Sequence, residues 1–171
     1  MTNTTIKSLG GYSLVSVKEA GGEETVRFTA YIAKDGKKIM QVSNDGVGGC
    51  HRYDPPVGFK TEAAAAKGYA EFRAAQATFE EFATQWNAGN EFAGIEDDDQ
   101  FVNHLMEVAD LNRMRRTVFL LDDEDYFATG AGRVFKGATY EQTVGALRSP
   151  AFAGRNPRVW DKTQSAFVPV S

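Results

Sequence analysis

The chain has 171 residues, of which 42% are hydrophobic, 12% aromatic and 25% charged, too apolar for disorder and of a length that folds as one domain without staples. Its formal charge of −4 and pI of about 5.2 give no general attraction to nucleic acid or to an anionic membrane, so neither is expected as a partner. One cysteine excludes an internal disulfide and a cysteine-rich zinc site, and two histidines exclude a histidine-rich one.

The start, "MTNTTIKSLGGYSLV", lacks a basic segment followed by a long apolar run, so no signal peptide is expected. No apolar stretch approaches the roughly 18 residues of a membrane span, and a reducing cytoplasm is the expected location.

In chain order, "YSLVSV" (12–17) is short and β-rich, and "TVRFTAYIA" (25–33) alternates, with Val26, Phe28, Ala30 and Ile32 on one face. "KKIMQVS" (37–43) follows the Asp35-Gly36 pair, whose tolerance of positive φ predicts a type I′ hairpin. Residues 12–43 therefore read as a three-stranded antiparallel meander.

The period then changes. In 61–87, Tyr69, Phe72, Gln76, Phe79, Phe82, Ala83 and Trp86 recur at steps of three and four, which predicts a long helix with an aromatic stripe. Thr61 is its expected N-cap and Gly89 its stop. A second helix is expected over 97–113 with Phe101, Val102, Leu105, Met106 and Ala109 inward.

Strands return at "RTVFLL" (116–121) and at its expected antiparallel partner "GRVFKG" (132–137). A short helix over 139–147 carries a capping box, Thr139 with Gln142. One or two strands in 158–170 close the chain, with Pro169 indicating an edge. The expected fold is a single α+β domain over 1–171: an antiparallel sheet of five to seven strands covered on one face by two helices. Its subdivisions would be meander and loop (1–59), helices (60–113), and strands with the short helix (114–171).

The stretch "SNDGVGGCHRYDPP" (43–56) holds three glycines, the only cysteine and one of the histidines. It has no Lys-Ser/Thr after its glycines and does not run straight into a helix, so it meets neither the P-loop nor the dinucleotide pattern. A looser nest of backbone N–H groups with Arg52 beside it is the anion-binding reading. The structural reading is a turn whose glycines permit close backbone approach. Cys50 and His51 are adjacent, so on an extended chain they point apart and do not pair as nucleophile and base. A Cys-His mechanism would need His104, which sits at the border of the second helix's apolar face.

Two acidic clusters, "IEDDDQ" (95–100) and "LDDEDY" (121–126), offer oxygen ligands for a hard cation. The second fails the calcium-loop pattern at its distal glutamate, and Asp97, Asp98 and Asp99 stand where a helix dipole favours negative charge. Arg113, Arg115 and Arg116 lie between the clusters, suited to phosphate or to a helix C-terminus.

The order of these elements, with Asn44, Asp45, Gly46, Gly48, Gly49 and Tyr53 in "VSNDGVGGCHRYD", resembles small accessory proteins of bacteriophages and plasmids. The resemblance implies a mobile-element origin and a role in binding and redirecting a host protein. Three functions stand: a non-enzymatic accessory protein that binds a host protein and inhibits a defence or metabolic system; a small anionic-ligand or nucleotide-binding protein; and a metal- or cysteine-dependent hydrolase. The second would use Asn44, Asp45, Gly46, Gly48, Gly49, Arg52 and Tyr53. No catalytic residue, metal or cofactor is assigned.

Overall fold

The computed structural model describes residues 8–170. The fold is α+β, with four helices and two antiparallel sheets among the described residues, and the chain divides into two compact units between Met106 and Glu107. The eight strands of the described residues form two separate four-stranded sheets where the sequence predicts one of five to seven. Neither a composition shift nor a Pro/Gly linker marks the division, because it falls inside a helix.

In the first unit β1 (Tyr12–Ala20), β2 (Arg27–Lys34), β3 (Lys37–Asn44) and β4 (Arg52–Asp54) pair in sequence order. Lys34 opposes Lys37 across a two-residue turn in which Asp35 has φ 50° and Gly36 φ 79°, the left-handed pair that a tight hairpin requires. Phe28, Ala30, Ile32, Met40 and Val42 are buried along β2 and β3, and Tyr12 and Leu14 along β1. Val26, expected on that face, precedes β2 and is exposed. The meander gains β4, three residues inside the segment read as a loop, where Tyr53 pairs with Val42. So short a strand carries too little periodicity to announce itself.

Helix α1 (Glu62–Asn87) starts at Thr61, whose hydroxyl accepts from the Ala64 N–H at 3.2 Å, and Gly89 follows its end at φ 86°. Its aromatic stripe is buried unevenly: Phe79 and Ala83 are buried, whereas Tyr69 is exposed and rests on Phe59, 5.3 Å between ring centroids. Phe79 is the hub, 5.2 Å from Tyr12, 6.2 Å from Tyr53 and 5.6 Å from Phe101.

Helix α2 (Asp97–Arg113) has the predicted bounds. Phe101, Val102 and Leu105 are buried as expected, while Met106 and Ala109 are half-buried and Val108 and Leu111 take the fully enclosed positions. The buried Asp97 carboxylate accepts from Asn87 Nδ2 and from the Gly94 N–H, each at 2.9 Å. It thus joins the last residue of α1 to the first of α2.

The second unit contains β5 (Val118–Leu120), α3 (Tyr126–Thr129), β6 (Arg133–Val134), α4 (Tyr140–Leu147), β7 (Arg158–Asp161) and β8 (Ala166–Pro169), with a 3₁₀ turn at 150–152. The sheet order is β6-β5-β7-β8, which sets Pro169 on an edge strand. Phe119, Leu121 and Leu147 form one buried cluster of its core, flanked by Phe135, Phe152 and Val170. The Thr139–Gln142 capping box is formed. The acidic run 121–126 is used structurally: Glu124 receives Arg133, Asp122 receives Arg155 at 2.6 Å, and Asp125 caps α3. No described helix is long and apolar enough to cross a membrane.

Truncating the hub, Phe79→Ala, is expected to cost about 3–5 kcal/mol by urea unfolding; a loss below ~1 kcal/mol would contradict its central place. The Asn87 amide and the Gly94 N–H hold the Asp97 carboxyl below its ordinary value. The folded chain therefore binds that proton less tightly than the unfolded one, and Asp97's contribution is complete above about pH 4 and lost as pH falls through the lowered value. Asp97→Asn should flatten the acid side of the stability profile between about pH 5 and pH 2.

Candidate functional site

The segment from Asn44 to Asp54 leaves β3, turns on its glycines and returns as β4. Asn44 is buried at the end of β3, where its amide must find partners inside the protein. Its Oδ1 accepts from the Gly46 N–H at 2.8 Å and the Thr25 hydroxyl at 3.1 Å. Its Nδ2 donates to the Gly49 carbonyl and to His51 Nδ1, both at 3.1 Å.

Because Nδ2 is a donor, Nδ1 of His51 must accept, which puts the ring proton on Nε2, the nitrogen 3.1 Å from Asn103 Oδ1. The same ring meets Phe28 edge-on at 5.1 Å.

Gly46 shows why the loop is glycine-rich. Its carbonyl accepts from the N–H groups of Glu23, Glu24 and Thr25, which draws the β1–β2 connection against it. At φ 77°, a β-carbon on Gly46 would stand 2.8 Å from Gly22 Cα and 3.0 Å from the Thr25 carbonyl oxygen, so both glycines are required for the two backbones to touch. The side chain of Glu24 lies against Gly48.

The other edge of the loop is anchored on α2. Asp99 accepts from the His51 N–H at 2.7 Å and from the Tyr53 hydroxyl at 3.1 Å. Burial pushes the Asp99 carboxyl up, opposed by the His51 and Tyr53 hydrogen bonds. Burial, then the charges of Asp98 and Asp99, push the Tyr53 hydroxyl far up, so it serves as a donor throughout the ordinary pH range. The Cys50 thiol donates to Glu96 Oε1 at 3.1 Å. That bond, and then the charge of Glu96, raise its pKa, so Cys50 is a thiol where a nucleophile would have to be a thiolate.

Of the residues singled out in the sequence, Asn44, Gly46, Gly49 and Tyr53 are joined in this network. The Asp45 carbonyl accepts from Arg27 at 2.9 Å. Arg52 turns to solvent and pairs with Asp54 at 3.0 Å, an exposed ion pair of little energetic weight. His104 packs against Trp86, 4.7 Å between rings. The partners that sequence reading does not reach are Thr25, Glu24, Glu96, Asp99 and Asn103. Glu96, just ahead of α2, and Asp99 and Asn103 on it lie 46 to 52 residues away from their counterparts in the loop, beyond any local spacing rule.

Cys50 Sγ and carboxylate oxygens of Glu96 and Asp99 lie within 4.8 Å of one another, a mixed sulfur and oxygen grouping. A cation there would have to remove the thiol proton from its bond to Glu96 and compete with the donors already on Asp99. The hydrogen bonds of this site hold a backbone shape. Comparison with protein-family models, curated proteins and solved structures found no match.

Near neutral pH, iodoacetamide should alkylate Cys50 severalfold more slowly than an exposed cysteine in a short peptide, although the side chain is exposed. Glu96→Gln should speed the reaction. A wild-type rate above the peptide's would point to an activated thiolate and overturn the structural assignment.

Proposed function

We propose that the first unit is a non-enzymatic protein-binding module whose loop, Asn44–Gly49, is a preshaped contact surface for a host protein. The observation that carries this reading is the division of labour within the loop. Asn44 spends all of its amide on internal partners, while Val47, at the tip, is 54% exposed. On the α1–α2 connection, which leads directly to Glu96 beneath Cys50, Phe92 and Ile95 are 59% and 61% exposed. Exposed apolar side chains on a backbone held by satisfied hydrogen bonds suit protein recognition, since little ordering remains to be done on binding.

The charged groups of this region define the partner's chemistry. Glu24 lies against Gly48, and Glu96, Asp98 and Asp99 surround Cys50 electrostatically. An acidic surround favours a partner face that is basic with apolar centres. The same carboxylates oppose an anion in the loop, and the protonated thiol opposes cysteine chemistry. A role against a host defence or metabolic system, in a host cytoplasm, accords with the resemblance to accessory proteins of mobile elements.

A tagged chain should retain one stoichiometric protein from a bacterial host lysate. Val47→Glu with Ile95→Glu should abolish capture while leaving unfolding stability within about 1 kcal/mol, as expected for exposed positions. Absence of a stoichiometric partner, or capture that survives the double substitution, would count against the loop as the contact surface.

A further inference from the structure

A cleft of about 890 Å³ opens in the second unit, walled by residues 115–117 ahead of β5, 137–140 at the start of α4, and 160–163 at the end of β7. Its size falls within the range of small-molecule sites. What distinguishes it is its charge. Arg115, Arg116 and Lys162 line it against one carboxylate, Asp161, in a chain whose formal charge is −4.

These cations are not equivalent. Of the three arginines near the α2 terminus, Arg113 is in the last turn and pairs with Asp110, as the helix dipole favours. Arg115 and Arg116 lie beyond the helix, so the dipole does not account for them, and neither guanidinium has a hydrogen bond or ion pair among the described residues. Lys162 is positioned by donating to the Met114 carbonyl at 2.6 Å. Asp161 is occupied: its carboxylate accepts from Thr163 and Gln164 in the β7–β8 turn. Two arginines with free guanidinium groups thus line a cleft whose single carboxylate is spent on its own turn. Planar guanidinium forks with unused N–H donors match the paired oxygens of phosphate.

Two aromatic residues, Trp160 and Tyr140, also line the cleft. Trp160 is 3% exposed, its indole N–H held by Asn112 Oδ1 at 3.0 Å, and forms a fixed wall. Tyr140 is 39% exposed, and its hydroxyl has no partner among the described residues. An exposed ring beside unpaired guanidinium groups offers a flat surface to a heterocycle and charge to the phosphates it carries.

We propose that this cleft binds a phosphorylated ligand of nucleotide size, with Arg115 and Arg116 on the phosphates and Tyr140 against the base. The site is separate from the glycine loop and does not rest on the protein-binding reading of that loop.

The test is titration of the full chain with ATP, inorganic tripolyphosphate and adenosine, followed by calorimetry and melting temperature. ATP and tripolyphosphate should bind and raise the melting temperature in a dose-dependent way, more weakly as salt rises, and adenosine alone should not. Arg115→Ala with Arg116→Ala should weaken ATP at least about tenfold, the scale of charge-assisted contacts. Tyr140→Ala should weaken ATP but leave tripolyphosphate unchanged. If the double variant folds poorly, Arg116→Gln alone should still lose severalfold. Failure of millimolar ATP and tripolyphosphate to bind, or an affinity indifferent to the arginines, overturns the proposal. Tighter arginine-dependent binding of a short oligothymidylate than of ATP overturns it in favour of single-stranded nucleic acid. The Val47→Glu, Ile95→Glu chain should bind ATP as the wild type does; a loss there would place the ligand elsewhere and overturn the assignment.

Discussion

The first unit depends on a single buried amide. Asn44 closes β3 inside the protein, and an amide buried without partners would cost about 1–3 kcal/mol for each group left unmet. Every partner it finds does structural work elsewhere. The Gly46 N–H makes the tight turn, the Thr25 hydroxyl brings in the β1–β2 connection, the Gly49 carbonyl closes the loop, and the His51 ring is turned toward α2. The loop's path, the approach of two backbones at Gly22 and Gly46, and the tautomer of His51 all follow from satisfying one side chain.

From His51 the constraint passes to α2. Its backbone N–H and the Tyr53 hydroxyl meet the two oxygens of Asp99, while Asp97 is met by Asn87 and Gly94. Two carboxylates one turn-start apart, both buried, are tolerable only because each receives at least two donors. The triple aspartate that begins α2 therefore does more than complement a dipole. Asp97 fixes how α1 ends, and Asp99 fixes where β4 runs.

What the sequence makes legible follows the range of the interactions involved. The Asp35-Gly36 hairpin, the Thr61 cap, the Thr139–Gln142 box and the bounds of α2 are set by residues within a few positions of one another, and all are visible in the chain. The α1 stripe is legible as a period but not as a burial pattern: Tyr69 continues the spacing of Phe79, yet it is left outside, resting on Phe59. The division into two sheets, the three-residue β4 and the docking of Cys50 and His51 on α2 depend on pairs far apart in sequence. Glu96 and Asp99 are simply part of an acidic run until the fold sets a thiol and a backbone N–H against them.

The glycine motif shows how one composition serves opposite purposes. In a phosphate-binding loop the glycines leave N–H groups pointing outward, and the surrounding charge is positive. Here the Gly46 peptide is turned inward at both its N–H and its carbonyl, and carboxylates lie at Gly48 and Cys50. Reorganising such a loop around a ligand would break several satisfied hydrogen bonds at once, a cost that grows with each bond because the network is shared. A surface that has no cheap alternative conformation would meet any partner as it stands, through the side chains it leaves outside. In this loop those side chains are Asp45, Val47 and Cys50, carried on a backbone whose path the Asn44 hydrogen bonds set.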